Sequence, residues 1–135
     1  MESIDLSPLA KAIQQFESAL REQQLEPERT LLRDGLIQRF EFTYSMSERM
    51  LRRFMEINSG AGEEIDAMSF PTLIRTASER GLLLNGWDKW EVYRRARNKT
   101  SHTYNEAVAL EVVELLPDFL LEADHLLTRM KEESL

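Results

Sequence analysis

The chain has 135 residues, of which 42% are hydrophobic and 30% charged, and its formal charge is −7. That length suits one buried core and not two, and an acidic total excludes a surface that coats nucleic acid nonspecifically, which requires many cations facing phosphates. The absence of cysteine excludes disulfides and thiolate metal sites. The opening Met1-Glu2-Ser3-Ile4-Asp5 lacks the basic start and apolar run of a secretion signal, and no stretch nears the roughly 20 apolar residues of a membrane helix. A single domain over residues 1–135 is expected, soluble and cytoplasmic, with neither membrane nor DNA as a partner.

Ser7-Pro8 reads as an N-cap followed by a first-turn proline, and Leu9, Ile13, Phe16 and Leu20 then recur at helical spacing until Pro27. A long second helix follows from Glu28 to about Ile57, with Leu32, Leu36, Phe40, Tyr44, Leu51, Phe54 and Met55 in period and only Gly35 to weaken it. Asn58 to Glu64 reads as a stop signal and a mobile loop. Pro71 opens a shorter stretch with Leu73, Ile74 and Ala77 that breaks near Gly81. Asn85-Gly86 then turns the chain into a helix from Trp87 to about Lys99, and the two pieces form one interrupted third arm. Thr103 and Glu106 have capping-box spacing, and Val108, Val113, Leu116, Leu120, Ala123, Leu127 and Met130 mark a last helix that Pro117 should kink. The expected fold is all-α, an up-and-down four-helix bundle with an interrupted third helix.

Charge is unevenly spread. Residues 89–102 hold Lys89, Arg94, Arg95, Arg97 and Lys99 against Glu91 alone, a local +4; the rest keeps 12 of the 17 bases and 23 of the 24 acids, or −11. One basic patch on an acidic body would guide an anionic ligand to one place and leave acidic faces for a protein partner. Within that patch, Arg97-Asn98-Lys99-Thr100-Ser101-His102-Thr103-Tyr104 combines a guanidinium fork suited to phosphate with an imidazole able to move protons near neutral pH. In an uninterrupted helix, residues five apart point about 140° from each other, so Arg97 and His102 converge only across a turn. Thr100 and Ser101 favour such a turn between 99 and 103. Metal-free RNA cleavage needs a base for the ribose 2′-hydroxyl, an acid for the leaving oxygen and cations for the phosphate charge. One histidine per motif leaves the set incomplete, so this chemistry calls for a symmetric homodimer with two motifs in a shared cleft.

Arg97-Asn98, His102 and Tyr104 at this spacing resemble the signature of the HEPN family (higher eukaryotes and prokaryotes nucleotide-binding domain), in its HepT-like branch, also known as nucleotidyltransferase substrate-binding proteins. Leu36 to Tyr44 resembles the branch's second helix, and Phe70 through Gly81-Leu82-Leu83 to Trp90 its third arm, so the similarity covers most of residues 30–130. Ser45-Met46-Ser47-Glu48-Arg49 departs from the branch, which there continues with a glutamate and later a tryptophan and a lysine. The resemblance implies a dimeric helical bundle, a metal-independent endoribonuclease toxin needing no cofactor, and a minimal nucleotidyltransferase as antitoxin. It implies that Arg97 binds phosphate, His102 is the acid and base, Asn98 orients one of them, and Tyr104 accepts AMP during neutralisation. The RNA substrate would be a tRNA or an mRNA. The alternative is a non-catalytic subunit that presents a nucleotide or substrate to the transferase.

Secondary RNA contacts are assigned to Arg94, Arg95 and Lys99. Trp87, Trp90 and Tyr93 are expected in the core or the dimer interface, with base stacking as the alternative, Arg49, Arg52 and Arg53 on a charged helix face, and His125 on the surface, away from any metal site. No Gly-rich phosphate loop or nucleotidyltransferase signature is present, so the chain would be the partner of a transferase and not the transferase itself.

Overall fold

The computed structural model describes residues 3–134; Met1, Glu2 and Leu135 lie outside the described residues, and with them part of the opening segment read above. Six α-helices follow in order: α1 (Ser7–Leu25), α2 (Thr30–Ser59), α3 (Gly62–Ala67), α4 (Phe70–Glu79), α5 (Trp87–Lys99) and α6 (Glu106–Glu133), with a single 3₁₀ turn at Thr100–His102 between the last two. No strand occurs among the described residues. None of their helices is long and apolar enough to cross a membrane.

The two long helices α2 and α6 form the spine, α1 packs against both, and α5 lies on α6 with α4 beside it. Leu9, Ile13, Phe16 and Leu20 of α1 are all buried, as the periodicity requires. They meet Leu36, Phe40, Tyr44, Leu51 and Met55 of α2 in one core with Trp90, Tyr93 and Phe119. Phe119 is central: its ring lies 5.2 Å from those of Phe40 and Tyr93, both nearly edge-on, a geometry that suits aromatic quadrupoles. The third arm is interrupted as expected, with Gly81 at φ +76° where α4 ends.

Several local expectations change. Ser7 is not the cap of α1; it donates its backbone N–H to Asp5 Oδ1 at 3.0 Å, and helical geometry begins one residue earlier than a Ser7 cap allows. Residues 58–64 are not simply a loop. Gly60 closes α2 in the left-handed conformation (φ +71°), and α3 starts at Gly62. Arg52 explains how so short a helix is held, because its Nη1 donates to the Ile65 and Met68 carbonyls at 2.9 and 3.0 Å. It is therefore a strut and not just part of a charged face.

The capping box at Thr103 gives way to Asn105, whose Oδ1 accepts from Ala107 and Val108 at 2.9 and 3.3 Å. Asparagine directly before the first helical residue is as good a cap as threonine, and Glu106 is drawn away to Arg33 (2.7 Å). The buried face of α6 is Ala109, Val112, Leu116, Phe119, Ala123, Leu126, Leu127 and Met130, with Val108, Val113 and Leu120 at its margins. The expected stripe was thus rotated. One continuous helix runs through Pro117, which sits on the exposed side where water can satisfy the carbonyl deprived of its donor.

Candidate functional site at the α5–α6 corner

Two different supports hold α5. At its N-terminal end, Trp90 and Tyr93 are fully buried and Trp87 packs against the core. Glu122 of α6, itself fully buried, accepts from the Leu84 N–H (2.8 Å), the Asn85 N–H (3.2 Å), Asn85 Nδ2 (3.0 Å) and the Tyr93 hydroxyl (3.5 Å). A buried carboxylate is tolerated where its lone pairs are so fully used. Sequence reading missed Glu122, and the available signal was a glutamate inside the apolar stripe of α6.

At the C-terminal end the chain leaves α5 through the 3₁₀ turn. Thr100, buried, ties it down by donating its hydroxyl to the Arg97 carbonyl at 2.7 Å, and Thr103 Oγ1 donates to the Thr100 carbonyl at 3.1 Å. The Asn105 N–H closes onto the His102 carbonyl at 3.1 Å. The turn expected between 99 and 103 therefore exists, as a tightened helical turn followed by a reversal at Thr103–Asn105.

That backbone splits the predicted site residues into two groups. Arg97 is half-buried, with Nη1 at 3.4 Å from Thr100 Oγ1 and 3.7 Å from Glu41 Oε2 of α2. His102 and Tyr104 instead face solvent beside each other, their rings 6.1 Å apart and edge-on, and Tyr104 is 86% exposed. Asn98 is exposed on the last turn of α5. Arg97 and His102 make no hydrogen bond to each other, so within one chain the turn does not join the guanidinium to the imidazole.

The basic patch also changes character once folded. Lys89 pairs with Asp118 (2.9 Å), Arg95 with Glu91 (2.8 Å), Lys99 with Glu111 (2.7 Å) and Arg97 with Glu41. Three of those four carboxylates come from α2 and α6, so the local +4 is largely cancelled by tertiary neighbours that no local window contains. Arg95 and Lys99 line a cavity of 390 Å³ between α5 and α6, floored by Ala96, Val112 and Leu115. Arg94 stands on the other side of α5 with its guanidinium over the Phe70 ring at 5.2 Å. The three secondary RNA contacts thus do not share one face.

The Tyr44 hydroxyl of α2 is buried in the core. Burial, and then the Glu48 carboxylate, push its pKa well above the ordinary tyrosine value, against the pull of Arg94 and Arg97. Tyr93 is raised by burial, then by Glu122 and Asp118. His125 is half-buried and not exposed; beside it the Asp124 carboxyl is raised by burial and by Glu17. No group of His, Asp and Glu residues suited to a metal ion exists among the described residues.

Residues 4–132 match the family model described as nucleotidyltransferase substrate binding protein like. The chain belongs to that family. A Haemophilus influenzae relative named probable ribonuclease HepT is 36% identical over 100 residues, which is 74% of this chain and 68% of the relative. The family fold is also seen in a solved Haemophilus influenzae structure, described as revealing the fold of a substrate binding domain of a nucleotidyltransferase. It superposes with a TM-score of 0.86 at 30% identity, covering 94% of this chain and 99% of the other. A crystal structure from Thermus thermophilus has a TM-score of 0.74 at 28% identity over 90% and 98% of the two chains. The family connection extends over almost the whole helical bundle and includes the α5–α6 corner.

Proposed function

We propose that this member of the nucleotidyltransferase substrate binding protein like family is a metal-independent endoribonuclease that works as a homodimer and is held in check by a minimal nucleotidyltransferase. The observation that carries the reading is the exposed His102–Tyr104 pair at a corner whose backbone is tied through Thr100 and Thr103. The name of the Haemophilus influenzae relative, probable ribonuclease HepT, agrees with it.

In this mechanism one His102 imidazole takes the proton of a ribose 2′-hydroxyl and the 2′-oxygen attacks the adjacent phosphorus. The His102 of the second copy gives a proton to the departing 5′-oxygen, leaving a cyclic phosphate. Arg97 of each copy offsets the charge that develops on the phosphate, and Asn98 orients the reacting groups. Two copies are needed because a single chain presents one imidazole here, whereas the reaction takes both a base and an acid.

Neutralisation follows from Tyr104. Its exposed hydroxyl would attack the α-phosphorus of ATP on the transferase, releasing pyrophosphate and a proton. The AMP so attached places a bulky anion two residues from His102, where it blocks the cleft and repels RNA. The test is cleavage of defined tRNA and single-stranded RNA in EDTA by unmodified protein of known oligomeric state. Activity lost in both Arg97→Ala and His102→Ala supports the enzyme; no cleavage by dimeric wild type on a broad RNA panel overturns it.

The pairing of Arg97 with Glu41 favours a second reading, in which the chain binds and presents a nucleotide or substrate without cleaving it. A guanidinium already facing a carboxylate is less free to act on phosphate. The description of the family and of the Haemophilus influenzae structure points the same way.

A further inference from the structure

Two arginines lie on aromatic rings instead of beside carboxylates. Arg94 lies over the Phe70 ring at 5.2 Å and Arg75 over the Trp87 ring at 5.8 Å, and among the described residues neither makes an ion pair. The two rings meet edge-on at 5.9 Å, so Arg75, Trp87, Phe70 and Arg94 form one continuous ladder across α4 and α5. Both arginines are exposed and Trp87 is half-buried, while Phe70 is the buried rung that anchors the ladder.

Helical spacing gives the ladder a direction. Trp87, Glu91, Arg94 and Asn98 recur at intervals of four, three and four residues, so they share a line along α5 about 16 Å long. The single acid on that line, Glu91, is engaged by Arg95 at 2.8 Å. The line ends at Asn98, in the turn that leads to His102 and Tyr104. Arg97 follows Arg94 by three residues, about 60° around the helix, which sets the ladder and the motif arginine on one side of α5.

We propose that Arg75, Trp87 and Arg94 form the track along which single-stranded RNA reaches the Arg97–His102 corner. The chemistry fits that ligand: guanidinium groups beside aromatic rings offer both a cation for the backbone phosphate and planar groups on which an unpaired base can stack. Unpaired cations attract phosphate with least competition, whereas Lys89, Arg95 and Lys99 must first leave a carboxylate. The favoured route therefore lies on the α4–α5 face and not in the α5–α6 cavity where Arg95 and Lys99 are found.

This inference rests on the ribonuclease reading for what happens at the end of the track, and its test is kept separate from cleavage. The probe is a short fluorescent 2′-O-methyl oligoribonucleotide, which cannot be cut by 2′-hydroxyl attack, titrated into full-length protein across a salt series and read by anisotropy. Arg75→Gln and Arg94→Gln should each weaken binding about fivefold and flatten the log–log salt slope by about 0.7. Trp87→Leu should weaken it at least about fivefold through lost stacking. Arg95→Gln and Lys99→Gln should change it less than about twofold. Melting curves confirm that each variant folds, and Arg75 and Arg94, being exposed, leave the core intact.

Equal effects from both sets, or a larger effect from Arg95 and Lys99, overturn the track. So does unchanged RNA binding in Arg75→Gln and Arg94→Gln combined with lost binding to the nucleotidyltransferase, which would make the ladder a protein contact. Wild type that binds the probe through Arg75 and Arg94 yet never cuts ordinary RNA supports the track and overturns the ribonuclease. Cleavage dependent on Arg97 and His102, with no response to Arg75 or Arg94, does the reverse.

Discussion

The two ends of α5 belong to one helix of 13 residues and do opposite work. At the N-terminal end the buried Glu122 carboxylate gathers two backbone N–H groups, an amide and a phenol around itself. At the C-terminal end the backbone is tied through Thr100, Thr103 and Asn105, and the side chains of Asn98, His102 and Tyr104 are left to solvent. The contrast shows how an anchor at one end lets the other expose polar side chains without spending them on the fold.

Breaking the anchor should have the largest effect on stability. Glu122→Ala removes the acceptor of the part-buried Leu84 and Asn85 N–H groups and empties a buried site, and we expect a loss of about 2 kcal/mol in chemical denaturation, with any activity falling in step with folded protein. At the opposite end, His102→Ala should leave stability within about 0.5 kcal/mol of wild type while lowering RNA cleavage by a factor of about 10² or more. A cleaving His102→Ala protein would remove the site from this corner.

Alkali sharpens the comparison from the core side. Tyr44 and Tyr93 both have folded-state pKa values raised above the ordinary tyrosine value of 10.0. Above pH 10 the unfolded chain releases these protons while the folded one retains them, so their contribution is complete below pH 10 and is lost as pH rises beyond it. Stability should fall by up to about 1.4 kcal/mol per pH unit for each tyrosine in that range, and Tyr93→Phe should make the decline shallower.

A smaller effect tests the tie that ends the motif. Asn105→Ala removes the acceptor for Ala107 and Val108 and should cost about 1 kcal/mol, with a modest loss of cleavage as the turn loosens. The smallest change is far from both ends: Gly35, exposed in α2 with open space where a Cβ would go, should gain about 0.5–1 kcal/mol on replacement by alanine without altering cleavage.

Much of the frame was legible from periodicity. The buried residues of α1 and α2 follow the 3.6-residue pattern because each helix has a wide apolar face, and the break in the third arm follows from Gly81 and the Asn85-Gly86 turn. The stripe of α6 was harder to read, since apolar residues occupy more than one face: Leu110 and Leu121 are more than half exposed, whereas Ala109 and Phe119 are buried. The short α3 escaped notice because Arg52, thirteen and sixteen residues from its partners in sequence, supplies its support.

The sequence by itself determined the all-helical composition, the motif Arg97-Asn98 through Tyr104 and the turn that carries it, because these depend on interactions within a few residues. Only the tertiary structure decided which cations are free. Lys89, Arg97 and Lys99 find their carboxylates on α2 and α6, and Arg75 and Arg94 find aromatic rings instead. Charges act through space and fall off with distance, so the field at a site is set by residues brought near it by folding, wherever they lie along the chain.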